Sequence, residues 1–184
     1  MTTRKITASD DLGDTADIES LSDDTFQDHL LQGVSRTFAL TIPQLPHALA
    51  RVVSNAYLLC RIVDTIEDEA HLSAEQKRHF CDQFIKVVAG EASASHFAND
   101  LHPLLSEGTL PAERELIRVA PRVITITRGF NANQREALES CVRIMSEGMA
   151  DFQENSDARG LSHLGEMDRY CYHVAGVVGE MLTK

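Results

Sequence analysis

Five residues close together in the chain have types and spacing suited to chemistry: Tyr57, Arg61, Asp64, Glu67 and Asp68. On an α-helix of about 3.6 residues per turn, Tyr57, Arg61, Asp64 and Asp68 form one column, with Glu67 beside Asp64. Three carboxylates on adjacent turns repel one another unless a cation or water neutralises them. Hard oxygen ligands of this kind suit Mg²⁺, which keeps several waters and shares its remaining positions with phosphate. Arg61 could hold a phosphate oxygen or simply pair with Asp64 or Glu67. By spacing alone, a solvated helix face with an Arg61–Asp64 salt bridge fits equally well.

Other candidates are weaker. Ser35 and Arg36, just before Thr37 and Phe38, combine a hydroxyl, a guanidinium fork and free amides at a helix start. That is either a diphosphate cradle or a cap with a surface arginine. Tyr170 sits one position off an apolar stripe, at the edge of a buried face, where its hydroxyl needs a partner. Gly148, Gly176 and Gly179 lie inside helical patterns at a cost in propensity; they permit close helix packing or leave room for a ligand. Glu147, Asp151 and Glu154 read as a solvated face. No P-loop, dinucleotide-binding glycine pattern, HExxH or GxSxG occurs.

The elements that must position these residues are almost all helical. Ser22 or Asp24 caps a short helix through Phe26, Leu30 and Leu31, ending near Gly33. A short segment, Ser35 to Ile42, is closed off by Pro43 and Pro46. A long helix follows, from about His47 to Glu69. Its apolar arc (Leu49, Val52, Val53, Ala56, Leu59, Ile62, Val63, Ile66) is too wide for a surface helix, so it belongs in the middle of a bundle and its polar column lines an internal cavity. Ser73 and Gln76 form a capping box for a helix burying Phe80, Phe84, Val87 and Val88, which Gly90 stops. Ser93 to Gly108 is less regular. Pro111 starts another helix, and Pro121 breaks or kinks it. Val123–Thr127 has strand-like residues but helical neighbours, and is read as helix. Two helices close the chain: one buries Leu138, Cys141, Met145, Met149 and Phe152, the other Leu164, Met167, Cys171, Val174, Val178 and Met181. The apolar pattern still runs at Met181 and Leu182, as if the chain were cut inside an element.

Composition narrows the classes. With 43% hydrophobic and 24% charged residues the chain is globular, and its 184 residues suffice for one domain. Seventeen basic against 28 acidic residues leave a net charge of −11, which gives no electrostatic case for nucleic acid or an anionic membrane. Residues 1–20 read as an acidic, mobile tail, and 21–184 as part of one helical domain. The four cysteines, Cys60, Cys81, Cys141 and Cys171, form no CxxC pair and read as core thiols in a reducing compartment. A cytoplasmic location follows, since no window spans a bilayer and no secretion signal is present.

Four blocks together resemble the squalene/phytoene synthase family: Val34-Ser35-Arg36-Thr37-Phe38; Tyr57 through Glu69; Gly148-Met149-Ala150-Asp151-Phe152; and Tyr170 through Gly179. They stand in the family's order over residues 24 to 184. The resemblance implies an all-α isoprenoid-synthase bundle around a central cavity, in which two aspartate-rich helices bind diphosphates through Mg²⁺. Carried over, Asp64 and Asp68 are metal ligands with Glu67 assisting. Ser35, Arg36 and Arg61 contact diphosphate, while Tyr57, Tyr170 and Arg61 serve the reaction. Phe38, Gly148, Val174 and Gly176 line the cavity.

The implied reaction joins two farnesyl diphosphates head to head through presqualene diphosphate, and squalene synthases then reduce the product with NADPH. Ile66-Glu67-Asp68 and Tyr170-Cys171 resemble squalene synthases more than phytoene synthases. Tyr172-His173 departs from that pattern, in which histidine precedes tyrosine, and keeps phytoene or hydroxysqualene synthesis open. A second aspartate-rich motif is expected on a later helix, so the chain reads as an N-terminal portion, inactive alone. A further portion could also carry a peripheral membrane attachment. The competing non-enzyme reading is a helical interaction fragment that completes a bundle with a partner chain.

Overall fold

Helix α3 (His47–Asp68) is the element around which the others assemble. Leu58, Leu59, Ile62, Val63 and Ile66 are wholly buried, so apolar side chains leave this helix in several directions and need neighbours on several sides. They meet α1 (Asp23–Val34), α4 (Ala74–Ala89), α6 (Pro111–Arg118), α7 (Ala120–Arg128) and α8 (Ala132–Asn155). The computed structural model describes residues 18–155 and 163–184. Among the described residues every regular element is helical, which makes the protein all-α. Each fully buried Leu, Ile or Phe contributes about 1.5–3 kcal/mol of transfer free energy, so α3 and its partners supply much of the driving force.

Local chemistry sets the boundaries. Ser22 caps α1 by accepting from the Thr25 amide at 3.3 Å. Ser73 and Gln76 make the reciprocal capping box of α4, and Gly90 ends it at φ 83°, a left-handed conformation that glycine adopts without penalty. Val119 interrupts the run after Pro111, and Pro121 stands in the first turn of α7, where its missing N–H costs nothing. Val123–Thr127 is helical within α7, because Val123, Ile124 and Ile126 are buried there at helical spacing. Tertiary burial overrides their β propensity.

Three expectations need correction. The stretch from Ser93 to Gly108 contains α5 (Ala94–Leu101), capped by the Ser93 hydroxyl on the His96 amide at 3.3 Å and anchored by buried Phe97 and Leu101. The final apolar stripe is not one buried face. In α9 (Leu164–Cys171), Leu164 is 75% and Met167 49% exposed, and Cys171 is exposed as well. Tyr172–Gly176 then forms a π-helical turn before α10 (Val177–Met181). Its extra residue shifts the register, so Val177 is buried and Val178 only partly. Hence only Cys60, Cys81 and Cys141 are core thiols. Of the acidic tail, residues up to 17 lie outside the described residues, while Ile18–Ser20 form a turn with Ile18 buried. Most of the loop between α8 and α9 lies outside them too.

A buried polar chain fixes how α1, α3 and α7 meet. Gln27 donates to the Arg51 carbonyl and to Asn55 Oδ1, both at 3.1 Å, and Asn55 donates to Thr127 Oγ1 at 2.7 Å. Asn55 is fully buried. Removing its amide leaves Gln27 and Thr127 short of a partner in a medium without water. Asn55→Ala is therefore expected to lower the unfolding free energy by about 2–3 kcal/mol. In urea denaturation this should appear as a lower midpoint with an unchanged slope.

Candidate active site

Tyr57, Arg61 and Asp64 are all half-buried on α3, and Asp68 is exposed at its end. The Tyr57 hydroxyl donates to the Val34 carbonyl at 3.2 Å and accepts from Arg61 Nη2 at 3.0 Å, while the Arg61 guanidinium lies 5.7 Å from the Tyr57 ring centre. Arg61 also faces Glu113 of α6 at 3.6 Å. Its ion-pair partner is thus this glutamate from another helix, and not Asp64 one turn along. Burial works against the Arg61 charge, but Tyr57, Asp64 and Glu113 outweigh it and push its pKa up. The Arg61 Nε–H is buried without a hydrogen-bond partner among the described residues, a donor that a bound oxyanion would satisfy.

Burial is the chief reason that the Asp64 carboxyl titrates near 6 rather than 3.8. Asp68, Glu67 and Glu113 add to the rise, and Arg61 opposes it. Negative charge here is under-compensated, which is the condition a divalent cation relieves. The donor set fits Mg²⁺ only in part. No group of three His, Cys, Asp or Glu side chains converges to enclose a metal among the described residues, so Asp64 and Asp68 offer one side of a site that water and phosphate would complete. Glu67 is half-buried beside them, and its backbone carbonyl accepts from Lys77 Nζ.

Tyr170, on α9, lies within electrostatic reach of these carboxylates. It packs edge-on against Phe152, with ring centres 5.3 Å apart. Burial first, then the charges of Glu67, Asp68 and Asp64, push its pKa up. Ser35 is buried and its hydroxyl accepts from the Phe38 amide at 3.0 Å, leaving its own proton free to donate. Arg36 is exposed, with no ion-pair partner among the described residues. Phe38 is 52% exposed and lies 5.3 Å from the Tyr57 ring. Val174 is half-buried against the core, and Gly176 is exposed beside Tyr172. Gly148 is buried under His173, whose ring would lie 2.1 Å from an added Cβ and whose Nδ1 donates to the Ile144 carbonyl at 3.1 Å. Close packing thus accounts for this glycine, whereas Gly179 faces open space. Glu147 pairs with Arg143 on the surface at 3.5 Å; the side chains of Asp151 and Glu154 lie outside the described residues.

Two residues that sequence reasoning missed matter here. Glu113 reads as an ordinary acidic residue in a helix's first turn, and nothing local marks it as the partner of Arg61. Glu69 ends α3 but turns inward, accepting from the His71 and Ser106 amides at 2.9 Å each and from the Thr109 hydroxyl. Burial alone would raise its pKa, but these bonds overcome that and hold it at about 2. Glu69 thereby ties the loop before α6 to the end of the acidic helix.

The family model for squalene/phytoene synthase matches residues 31–184. The chain belongs to the squalene/phytoene synthase family. It is 32% identical over 152 residues to squalene synthase ERG9 of Gibberella zeae, covering 82% of this chain and 30% of that protein. A Botryococcus braunii squalene synthase is 29% identical over 163 residues, 84% of this chain and 30% of the relative. The structure of TcSQS in complex with the ligand BPH1237 superposes with a TM-score of 0.71 at 27% identity, over 88% of this chain and 43% of that one. The chain therefore spans about a third of the length of these curated synthases. No helix among the described residues is long and apolar enough to cross a membrane.

Two outcomes are expected. Gly148→Ala drives a methyl group into His173 and should cost about 1–3 kcal/mol in denaturation, with partial recovery in Gly148→Ala/His173→Ala. For Asp64, a folded pKa above the ordinary value means that the folded state holds the proton more tightly, so stability falls as pH rises from about 4 to 6. In chelator-treated protein Asp64→Asn should thus gain about 1–2 kcal/mol at pH 7, after discounting for screening. The gain should vanish near pH 4 and shrink when Mg²⁺ is added to both proteins.

Proposed function

We propose that this chain forms the first-motif half of a head-to-head prenyl synthase, which condenses two farnesyl diphosphates to presqualene diphosphate and reduces that product to squalene with NADPH. The observation that carries the reading is the column Tyr57–Arg61–Asp64–Asp68 on a helix otherwise largely buried, with Tyr170 within electrostatic reach of the same carboxylates.

In the proposed reaction, diphosphate leaves the first farnesyl diphosphate and an allylic cation remains. The C2=C3 bond of the second attacks it, and loss of a proton closes the cyclopropane. Asp64 and Asp68, assisted by Glu67, would hold Mg²⁺, which supplies positive charge to the departing diphosphate. Arg61, through the Nε–H that has no partner among the described residues, and the Ser35 hydroxyl would donate to phosphate oxygens, with the exposed Arg36 assisting. Tyr170, whose raised pKa keeps its phenol protonated, meets the cation with its π face rather than as a nucleophilic phenolate. Tyr57 braces Arg61 and presents its ring to the cavity alongside Phe38. Val174 and Gly176 would belong to the cavity wall that keeps water from the cation, while Gly148 serves that wall only by letting His173 pack against α8. NADPH has no assigned residues in this chain, and its use separates squalene formation from phytoene- or hydroxysqualene-type products.

Half a site should bind weakly and turn over nothing. The test is calorimetric titration of the 184-residue chain with farnesyl thiodiphosphate, an unreactive analogue, with and without Mg²⁺. Weak, Mg²⁺-dependent binding that Asp64→Asn/Asp68→Asn abolishes is expected. Binding that ignores both Mg²⁺ and the two aspartates would sink the reading.

A further inference from the structure

Arg61 interacts with both the tyrosine and the carboxylate field of the site, and on α3 it has a choice of partners. Asp64 is one turn away and Asp68 two, both on its own face. An arginine so placed would ordinarily fold onto Asp64, which would neutralise a metal ligand and occupy the phosphate donor at once. The structure shows another arrangement. Glu113, from the first turn of α6, stands 3.6 Å from Arg61 Nη1, and Tyr57 takes Nη2 at 3.0 Å. Both side chains of the ion pair are substantially buried, at 26% exposed for Arg61 and 17% for Glu113. The tyrosine is itself held by the Val34 carbonyl at 3.2 Å. One side chain from α3 and one from α6 therefore hold the guanidinium, with α1 bracing the tyrosine, while its Nε–H keeps no partner among the described residues.

We infer that Glu113 is a positioning residue: it clamps Arg61 against Tyr57 and keeps the guanidinium from closing a direct ion pair with Asp64 or Asp68, so that the cation site and the phosphate donor stay separate. The purpose of this clamp rests on the diphosphate reading above, but its geometry does not. Glu113 touches no substrate in this scheme and acts only through Arg61. Its position is supported independently of Arg61. Pro111 starts α6, and Leu116 and Ile117 bury it. The loop before α6 is tied to Glu69, at the end of the same helix that carries Arg61.

The test follows arginine side-chain Nη–H exchange by NMR in the 184-residue chain. Arg118 serves as the internal reference, because it lies on the same helix α6 and is held by Glu115 at 2.8–2.9 Å. In Glu113→Gln the Arg61 Nη–H groups, which face Glu113 and Tyr57, are expected to exchange about tenfold faster while those of Arg118 are unchanged, and Glu113→Asp, which keeps the charge, should restore most of the protection. Three results would overturn the clamp: wild-type protection of Arg61 in Glu113→Gln; equal loss in Glu113→Asp; or parallel loss at Arg118, which would make Glu113 a residue of α6 folding only. A parallel ³¹P titration with inorganic pyrophosphate and Mg²⁺ should show about tenfold weaker binding in Glu113→Gln. If wild type gives no saturable shift, the diphosphate reading fails, while the exchange data still judge the clamp.

Discussion

Charge on a helix that must be buried is the constraint from which the rest of this structure follows. α3 needs neighbours on several sides for its apolar arc, yet its last turns carry three carboxylates and an arginine. Burying an uncompensated charge costs several kcal/mol, more than one or two of its leucines return. The fold answers by keeping the column at the edge of the packed region. Tyr57, Arg61 and Asp64 are half-buried and Asp68 is open, so the charges are constrained by the protein without being sealed inside it.

Neighbouring elements divide the remaining work. α1 offers the Val34 carbonyl to Tyr57, and α6 offers Glu113 to Arg61. Glu69 pulls the loop from Ser106 to Thr109 under the end of α3. The last segment approaches over Gly148, where the absence of a side chain lets His173 lie against α8 and brings Tyr170 toward the acidic turns. None of these contacts is strong alone. Together they explain why one face of a helix can stay polar while every neighbouring face is packed.

Helix positions were legible in the sequence wherever a cap or a proline met an apolar period, as at Ser22, Ser73, Gly90 and Pro111. The acidic column was legible for the same reason, since helical spacing alone aligns its members. Legibility failed where the decisive partner was distant. Glu113 lies 52 residues beyond Arg61 in the chain, and no local signal distinguishes it from any acid in a first turn. The spacing of Leu164 and Met167 predicts a burial that the structure lacks, because periodicity reports that a face is apolar, not that something covers it. The π-helical turn escaped because one extra residue leaves the spacing of Val174, Val178 and Met181 intact on paper while rotating them in space.

The placement of the aromatic residues has a spectroscopic consequence. The chain contains no tryptophan and three tyrosines. Tyr57 and Tyr170 border the acidic turns, and Tyr172 bonds to Glu180 on the surface at 3.2 Å. Near-ultraviolet absorbance above the phenylalanine bands therefore comes from three phenols, two of them within the electric field of the carboxylates. Any ion or ligand that changes that field shifts the tyrosine spectrum directly. The protein carries its own optical reporter of the site, with no label to perturb it.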